Sequence, residues 1–373
     1  MSGPVGPIGL YIHVPFCAGK CPYCDFYSLP ASGEVMDAYV RRVRALLPLM
    51  AEKYPRPLRT VYFGGGTPSL LGPARLSALL EESARHFSLL AGAEITCEAN
   101  PTRLPEDFFP ALRAAGVNRL SLGLQSANEK ELELLGRKHS PQDAAWAVES
   151  ARSAGFRNLS LDLMLALPEG GLEALGRSIQ FAASLEPEHL SAYILKVEPG
   201  TPFARQGVPQ PEEDMAADQY LFCVDELARR GFRQYEISNF ARPGLESRHN
   251  LIYWQGDEYL GLGPGAHSFM EGRRFFWPRD LEGFLQGGEP VDDGPGGGFA
   301  EFAMLNLRLC QGLGLAACQA RFGQKGAEAF RCLRQRALAL PGPLVRAEPE
   351  RVALSPEGFL VSNSILARLL EDL

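Results

Sequence analysis

Short apolar runs recur along the first two thirds of the chain. Each is followed by a longer stretch with apolar residues at three- and four-residue spacing. The runs predict strands over 8–14, 59–63, 93–98, 118–124, 157–164 and 188–194. The longer stretches predict helices over 34–53, 73–89, 105–115, 128–155 and 171–185. Such alternation implies a parallel sheet with helices outside it. Six units predict an α/β fold, a partial TIM-like (β/α)6 barrel open on one side. A helix over 211–230 and segments up to 286 add a second layer. The stretch GGEPVDDGPGGG, residues 287–298, is rich in Gly, Pro and Asp and reads as a linker. Residues 299–373 read as helices with a short β-like pair near 343–361, which suits a small winged-helix-like domain. The expected organisation is a barrel over 1–240, barrel-closing elements over 241–286, the linker, and the C-terminal domain.

A parallel barrel carries its chemistry at the C-terminal ends of its strands. Polar residues stand there: Gly64-Gly65-Gly66-Thr67-Pro68 after VYF, Glu98 and Asn100 after ITC, and Gln125 after LSLGL. Asp162 lies within LSLDLML, and Lys196 follows SAYIL. Each alone suits a cap or a turn. Together they mark one rim.

The first strand runs into Cys17, Cys21 and Cys24, spaced C-x3-C-x2-C. Thiolates are the usual ligands of iron–sulfur clusters, and three of them leave one iron of a cubane open for chemistry. Three close cysteines also suit part of a zinc site, but structural zinc takes four ligands, usually as two separated pairs. The other cysteines, Cys97, Cys223, Cys310, Cys318 and Cys332, are scattered and read as core residues. A disulfide framework is not expected, because eight cysteines in 373 residues is ordinary and the start MSGPVGPIGLYIHV has no secretory apolar region.

A second stretch, SRHNLIYWQGDEYLGLGPGAHSF, holds His249-Asn250-x-x-Tyr253-Trp254. Imidazole ligates iron and aromatic rings suit a flat macrocycle. The same residues also suit a helix N-terminus with a packed Tyr-Trp pair. The tight loop from Gly261 to Ser268 could close over the cysteines, with His267 either there or solvated. His13 reads as a core or supporting residue, and His86, His139 and His189 as structural.

Net charge is −7, which argues against a nucleic-acid partner. No apolar run approaches the roughly 20 residues that span a bilayer. Hydrophobic content of 46% supports a substantial core, and the composition suggests a cytoplasmic protein.

The stretches YIHVPFCAGKCPYCDF, YFGGGTPSLL, LSLGLQS, LGRKH, HLSAYILKVEPGTPF, YEISNFARPGLESRHNLIYW and LSPEGFLVSNSILARLL carry a family resemblance. They resemble the coproporphyrinogen III oxidase-like branch of the radical S-adenosylmethionine (SAM) superfamily. Within it the chain looks like the HemW-type haem chaperones. The oxygen-independent oxidase has a further cysteine where this chain has Phe26, and a longer extension before its cluster. HNxxYW is characteristic of the chaperones. Both patterns have a Tyr-Gly pair where this chain has Leu165-Ala166 before Leu167-Pro168.

The resemblance implies a [4Fe-4S] cluster on Cys17, Cys21 and Cys24, with SAM chelated at the open iron and cleaved to a 5′-deoxyadenosyl radical by an electron from the cluster. It implies SAM contacts by Tyr11, Gly65 and Glu98. Gly66, Thr67, Gln125, Arg137 and Asp162 match positions of a second SAM site in the oxidase, and His267 occupies the position of an apolar residue at the oxidase SAM site. His249 is the candidate haem ligand. The implied function is haem chaperoning, with haem inserted into an apo-haemoprotein. The alternative is oxygen-independent coproporphyrinogen III oxidase activity, decarboxylating two propionates to make protoporphyrinogen IX. The resemblance also implies a flavodoxin-like electron donor and allows a homodimer.

Overall fold

Strands β1 (Ile8–Val14), β2 (Leu58–Gly65), β3 (Leu89–Ala99), β4 (Arg119–Gln125), β5 (Leu159–Leu165) and β6 (His189–Ile194) lie side by side in chain order, each parallel to the next. The structure is a computed structural model, and it describes residues 6–168 and 170–373. Side-chain alternation decides which face of the sheet is which. Leu10, Ile12, Val61, Phe63, Leu120, Leu122, Leu161 and Leu163 are fully buried and pack in the main core with the helices Gly33–Lys53, Gly72–His86 and Pro141–Ser153. Each such side chain contributes roughly 1.5–3 kcal/mol by leaving water. The alternate positions are polar or aromatic: Tyr11, His13, Tyr62, Glu98, Arg119, Ser121, Asp162, Ser191 and Tyr193. They line the inner face.

The sheet extends past both ends of the six parallel strands. Beyond β6 lie β8 (Asn239–Ala241) and β7 (Arg233–Glu236), both antiparallel additions. Beyond β1 lies β9 (Tyr259–Leu262), parallel to it, then β10 (His267–Met270) and β11 (Arg273–Phe276). Strand β12 (Val291–Pro295) completes that edge by pairing with β11. The stretch expected to be a linker therefore contributes an edge strand. Its glycines do not prevent this, because the pairing with β11 is made by backbone groups.

The helical stretch expected over 128–155 divides into Glu129–Leu134 and Pro141–Ser153. Gly136 takes a left-handed φ of 65°, which ends the first helix. Ser140 and Asp143 form a capping box, with Pro141 in the first turn of the second. The break places Arg137 in a loop instead of on a helix face.

Residues 299–373 form the helices Phe299–Asn306, Leu315–Leu338, Pro356–Leu360 and Ser362–Leu370. A small antiparallel sheet, β13 (Leu313–Gly314), β15 (Arg351–Leu354) and β14 (Val345–Glu348), packs with them. A bridge from Glu236 to Leu309 ties this segment to β7. Among the described residues, no helix is long and apolar enough to cross a membrane.

Candidate functional site

The cysteines occupy the loop directly after β1, at the C-terminal end of the barrel. The base of the loop is closed where Cys17 N–H donates to Leu29 O at 3.1 Å and Leu29 N–H donates to Pro15 O at 2.9 Å. Within the loop, Cys24 N–H donates to Cys21 O at 3.1 Å. All three are half-buried free thiols. Burial pushes the Cys24 thiol up, the Phe26 backbone N–H opposes this, and the other two cysteines add to it. Such a thiol needs a cation to hold it as thiolate.

Two neighbours address the sulfurs. Thr67 Oγ1 lies 3.3 Å from Cys17 Sγ, and Arg137 Nη1 points at Cys21 Sγ across 3.6 Å. Asn100 joins them: its Nδ2 donates to Thr67 Oγ1 at 3.4 Å and its Oδ1 accepts from Arg137 Nη2 at 2.9 Å. The sequence marked Asn100 only as a rim residue. Its polar character directly after β3 was the one signal for this linking position.

The donor set fits an iron–sulfur cluster. Three free thiols share one pinned loop, with a guanidinium and a hydroxyl directed at two of them. Among the described residues, no group of three or more His, Cys, Asp or Glu is arranged to hold a single metal ion. A cubane takes one thiolate per iron, so three cysteines leave its fourth iron open.

The Gly-rich turn after β2 is stitched to the cysteine loop. Gly66 N–H donates to Val14 O at 2.9 Å and Thr67 N–H to Phe16 O at 2.7 Å. Gly65 has φ 105°, and a Cβ there would stand 2.4 Å from the His13 ring. Its N–H donates to Glu98 Oε2 at 3.1 Å, and Tyr62 OH donates to Glu98 Oε1 at 2.8 Å. Loss of water inside the barrel raises the Glu98 carboxyl to about 7; the Tyr62 hydroxyl opposes the rise. At neutral pH this group can exchange a proton.

The remaining sequence-identified residues spread around the same rim. Gln125 and Arg137 fold over Gly123, where a Cβ would meet Gln125 Nε2 and Arg137 Nη2 at 2.7 Å each. Gln125 itself adopts φ 67°. Deeper in the barrel, Ser121 Oγ donates to Asp162 at 3.3 Å, and burial raises the Asp162 carboxyl despite its serine partners. Tyr11 OH lies 2.9 Å from His13 Nδ1, and His13 Nε2 lies 2.9 Å from Tyr27 O in the cysteine loop. Tyr39 OH donates to the His13 carbonyl at 2.6 Å.

His249 is not brought to this rim as a free ligand. It is buried in the helix Arg248–Trp254. Its Nδ1 lies 2.7 Å from Thr60 Oγ1 and its Nε2 2.7 Å from Tyr253 OH. Both ring nitrogens therefore have partners inside the barrel. Burial, reinforced by the charges of Arg119 and Arg59, lowers its pKa to about 3 and keeps the ring neutral. The loop Gly263–Ala266 presses against the cysteine loop, since a Cβ on Gly265 would touch Tyr27 Cβ at 3.4 Å. His267 itself is exposed and stacks on Phe276 with centroids 5.3 Å apart. His86 pairs with Glu82, His139 with Leu124 O, and His189 with Ser160 and Tyr235.

The radical SAM superfamily pattern matches residues 11–182 of this chain. The haem chaperone HemW of Mycobacterium tuberculosis H37Rv is 40% identical over 98% of this chain and 96% of its own length. HemW of Escherichia coli K12 is 42% identical over 75% of this chain and 76% of its own length. Among solved structures, the coproporphyrinogen III oxidase HemN of Escherichia coli superposes with a TM-score of 0.84 at 22% identity, covering 99% of this chain and 91% of that one. That likeness is one of fold. The cysteine loop, the Gly-rich turn stitched to it and the full-length similarity together establish that this chain belongs to the HemW haem-chaperone family of the radical SAM superfamily.

Proposed function

We propose that this chain binds haem and inserts it into apo-haemoproteins while holding a [4Fe-4S] cluster and SAM. The observation that carries this is the 40% identity over 98% of the chain to a haem chaperone. Cys17, Cys21 and Cys24 hold the cluster; Arg137 and Thr67 supply charge and a hydrogen bond to the sulfurs. Gly65 and Glu98 hold SAM, with Tyr11 lining its site. Gly66, Thr67, Gln125, Arg137 and Asp162 offer the contacts of a second SAM position. When bound, the cluster supplies an electron to SAM. A flavodoxin-like protein is the proposed source of that electron, and the cytoplasm the proposed setting.

The oxidase reading rests on fold alone. At the position of the oxidase's additional cysteine stands Phe26, 62% exposed beside the cluster ligands. The test uses cluster-reconstituted protein loaded with haem and mixed with an apo-haemoprotein of known spectrum. Appearance of the holo-acceptor spectrum supports the chaperone. In parallel, anaerobic incubation with SAM, a reductant and coproporphyrinogen III should give no decarboxylated product beside a working oxidase. Formation of protoporphyrinogen, or failure to take up haem, would overturn the proposal.

A further inference from the structure

We propose that His249 is a positioning residue for the Gly65–Thr67 turn, acting through Tyr62 and Glu98. This rests on the reading that Gly65 and Glu98 hold SAM. The helix Arg248–Trp254 sits at the N-terminal end of the barrel, opposite the cysteine loop. Its first turn is fixed by Glu94 on β3: one carboxylate oxygen accepts from Arg248 N–H at 3.1 Å and the other from His249 N–H at 3.0 Å. Ser247 caps the same turn through Asn250 N–H. Beneath it lies Gly9 of β1, where a Cβ would stand 2.6 Å from Ile252 Cδ1 and 3.3 Å from His249 Cε1. The helix therefore seats directly on the strand.

Thr60 and Tyr253 hold the imidazole by its two nitrogens, which leaves its faces to do the contacting. One face stacks on Tyr62, with ring centroids 5.0 Å apart and planes 26° from parallel. The Tyr11 ring lies 6.3 Å away on the same inner surface. A tyrosine held flat in this way has its hydroxyl direction fixed. That hydroxyl donates to Glu98 Oε1, and Glu98 Oε2 accepts the Gly65 N–H. Three contacts thus join the HNxxYW helix at one end of the barrel to the cofactor turn at the other. The motif acts from beneath the site, through the orientation of one carboxylate.

The experiment is a double-mutant cycle on cluster-reconstituted protein, kept anaerobic and without reductant, with SAM affinity measured by calorimetry. His249→Ala should weaken SAM about tenfold, the scale expected when a hydrogen bond to a carboxylate is lost. Tyr62→Phe keeps the stack but removes the hydroxyl, and should weaken SAM to a similar degree. Combining the two should cost little more than one alone, because both act through the same bond. Haem affinity and the haem absorbance spectrum should be unchanged. Additive losses, an unchanged SAM affinity in His249→Ala, or an altered haem spectrum would each overturn the proposal. If His249→Ala does not fold, the near-isosteric Tyr253→Phe takes its place in the cycle with the same expectations. Failure of the wild-type protein to bind SAM would instead count against the SAM reading itself.

Discussion

Arg137 Nη1 points at Cys21 Sγ from 3.6 Å, while Nη2 of the same guanidinium donates to Asn100 Oδ1 and to Gly123 O. The planar fork is thus held by two oxygens and delivers its charge to one sulfur. Arg137→Gln removes that charge. The reduction potential of the reconstituted cluster should fall, on the order of tens of millivolts, because net charge and hydrogen bonds to sulfur set such potentials. Redox titration followed by electron paramagnetic resonance measures it. An unchanged potential would mean that Arg137 does not act on the bound cluster.

Each of Cys17→Ala, Cys21→Ala and Cys24→Ala should abolish iron–sulfur absorbance after reconstitution. Cys97→Ala should retain it, because Cys97 lies on the outer face of β3, fully buried in the core. Its cost should be one of packing, about 1 kcal/mol, visible in the denaturation midpoint. Retained absorbance in any of the first three would remove that cysteine from the ligand set.

Much of this arrangement was legible in the sequence because strand period and barrel polarity are local properties. The alternation in LSLDLML already separates Leu161 and Leu163 from Asp162, and the strand ends already name Thr67, Glu98 and Gln125. The surroundings of His249 were not legible. A histidine beside aromatic residues looks the same in sequence whether it faces a haem or a threonine 189 positions away. The strand over 291–295 was hidden by glycines, since pairing at a sheet edge depends on a partner far along the chain and not on local propensity. Asn100 was seen but not understood: its role depends on Thr67 and Arg137, 33 and 37 positions distant.

Ala166 follows β5 with φ 56°, a left-handed conformation that costs a non-glycine residue roughly 1–2 kcal/mol. Its N–H donates to Gln219 Oε1 at 2.8 Å, which holds the strained backbone in place. Ala166→Gly should relieve the strain but loosen the unfolded chain, giving a change within about 1 kcal/mol. Ala166→Val should destabilise by about 2 kcal/mol or more, since a β-branched residue fits this region poorly. Chemical denaturation of both variants tests the ordering, and a valine variant as stable as wild type would contradict the assigned backbone.

Glu236 lies fully buried where β7 meets the C-terminal segment. Burial lifts its carboxyl to about 7 from 4.5, against opposing bonds from Ser238 N–H and the Asn239 side chain. Between those two pH values the folded protein keeps a proton that the unfolded chain has lost. Stability contributed by this group therefore falls as pH rises from 4.5 to 7 and is level above that. Glu236→Gln should be more stable than wild type at pH 8, with the gain shrinking toward pH 5. Because only the difference between the two proteins is read, histidines that titrate in the same range cancel. A difference that does not change between the two pH values would refute the raised pKa.

Gly66→Ala should separate the Gly-rich turn from the cysteine loop. A Cβ at this position would stand 2.6 Å from Phe16 O and 2.8 Å from Val14 O. Both are backbone atoms at the root of the loop and cannot rotate aside. The turn must move, and with it go Gly66 N–H to Val14 O, Thr67 N–H to Phe16 O, and the approach of Thr67 Oγ1 to Cys17 Sγ. The expected cost is about 2–3 kcal/mol of stability and a loss of cluster occupancy after reconstitution. Gly72 is the control. It has φ 76°, but a Cβ there meets nothing within 4 Å. With ψ 161° beside that φ, Gly72→Ala should cost only backbone strain, about 1–3 kcal/mol, and leave the iron content intact. Iron and sulfide analysis of both variants, beside their melting temperatures, separates a defect in the cysteine loop from general destabilisation. Full cluster content in Gly66→Ala would show that the turn and the loop are not rigidly coupled.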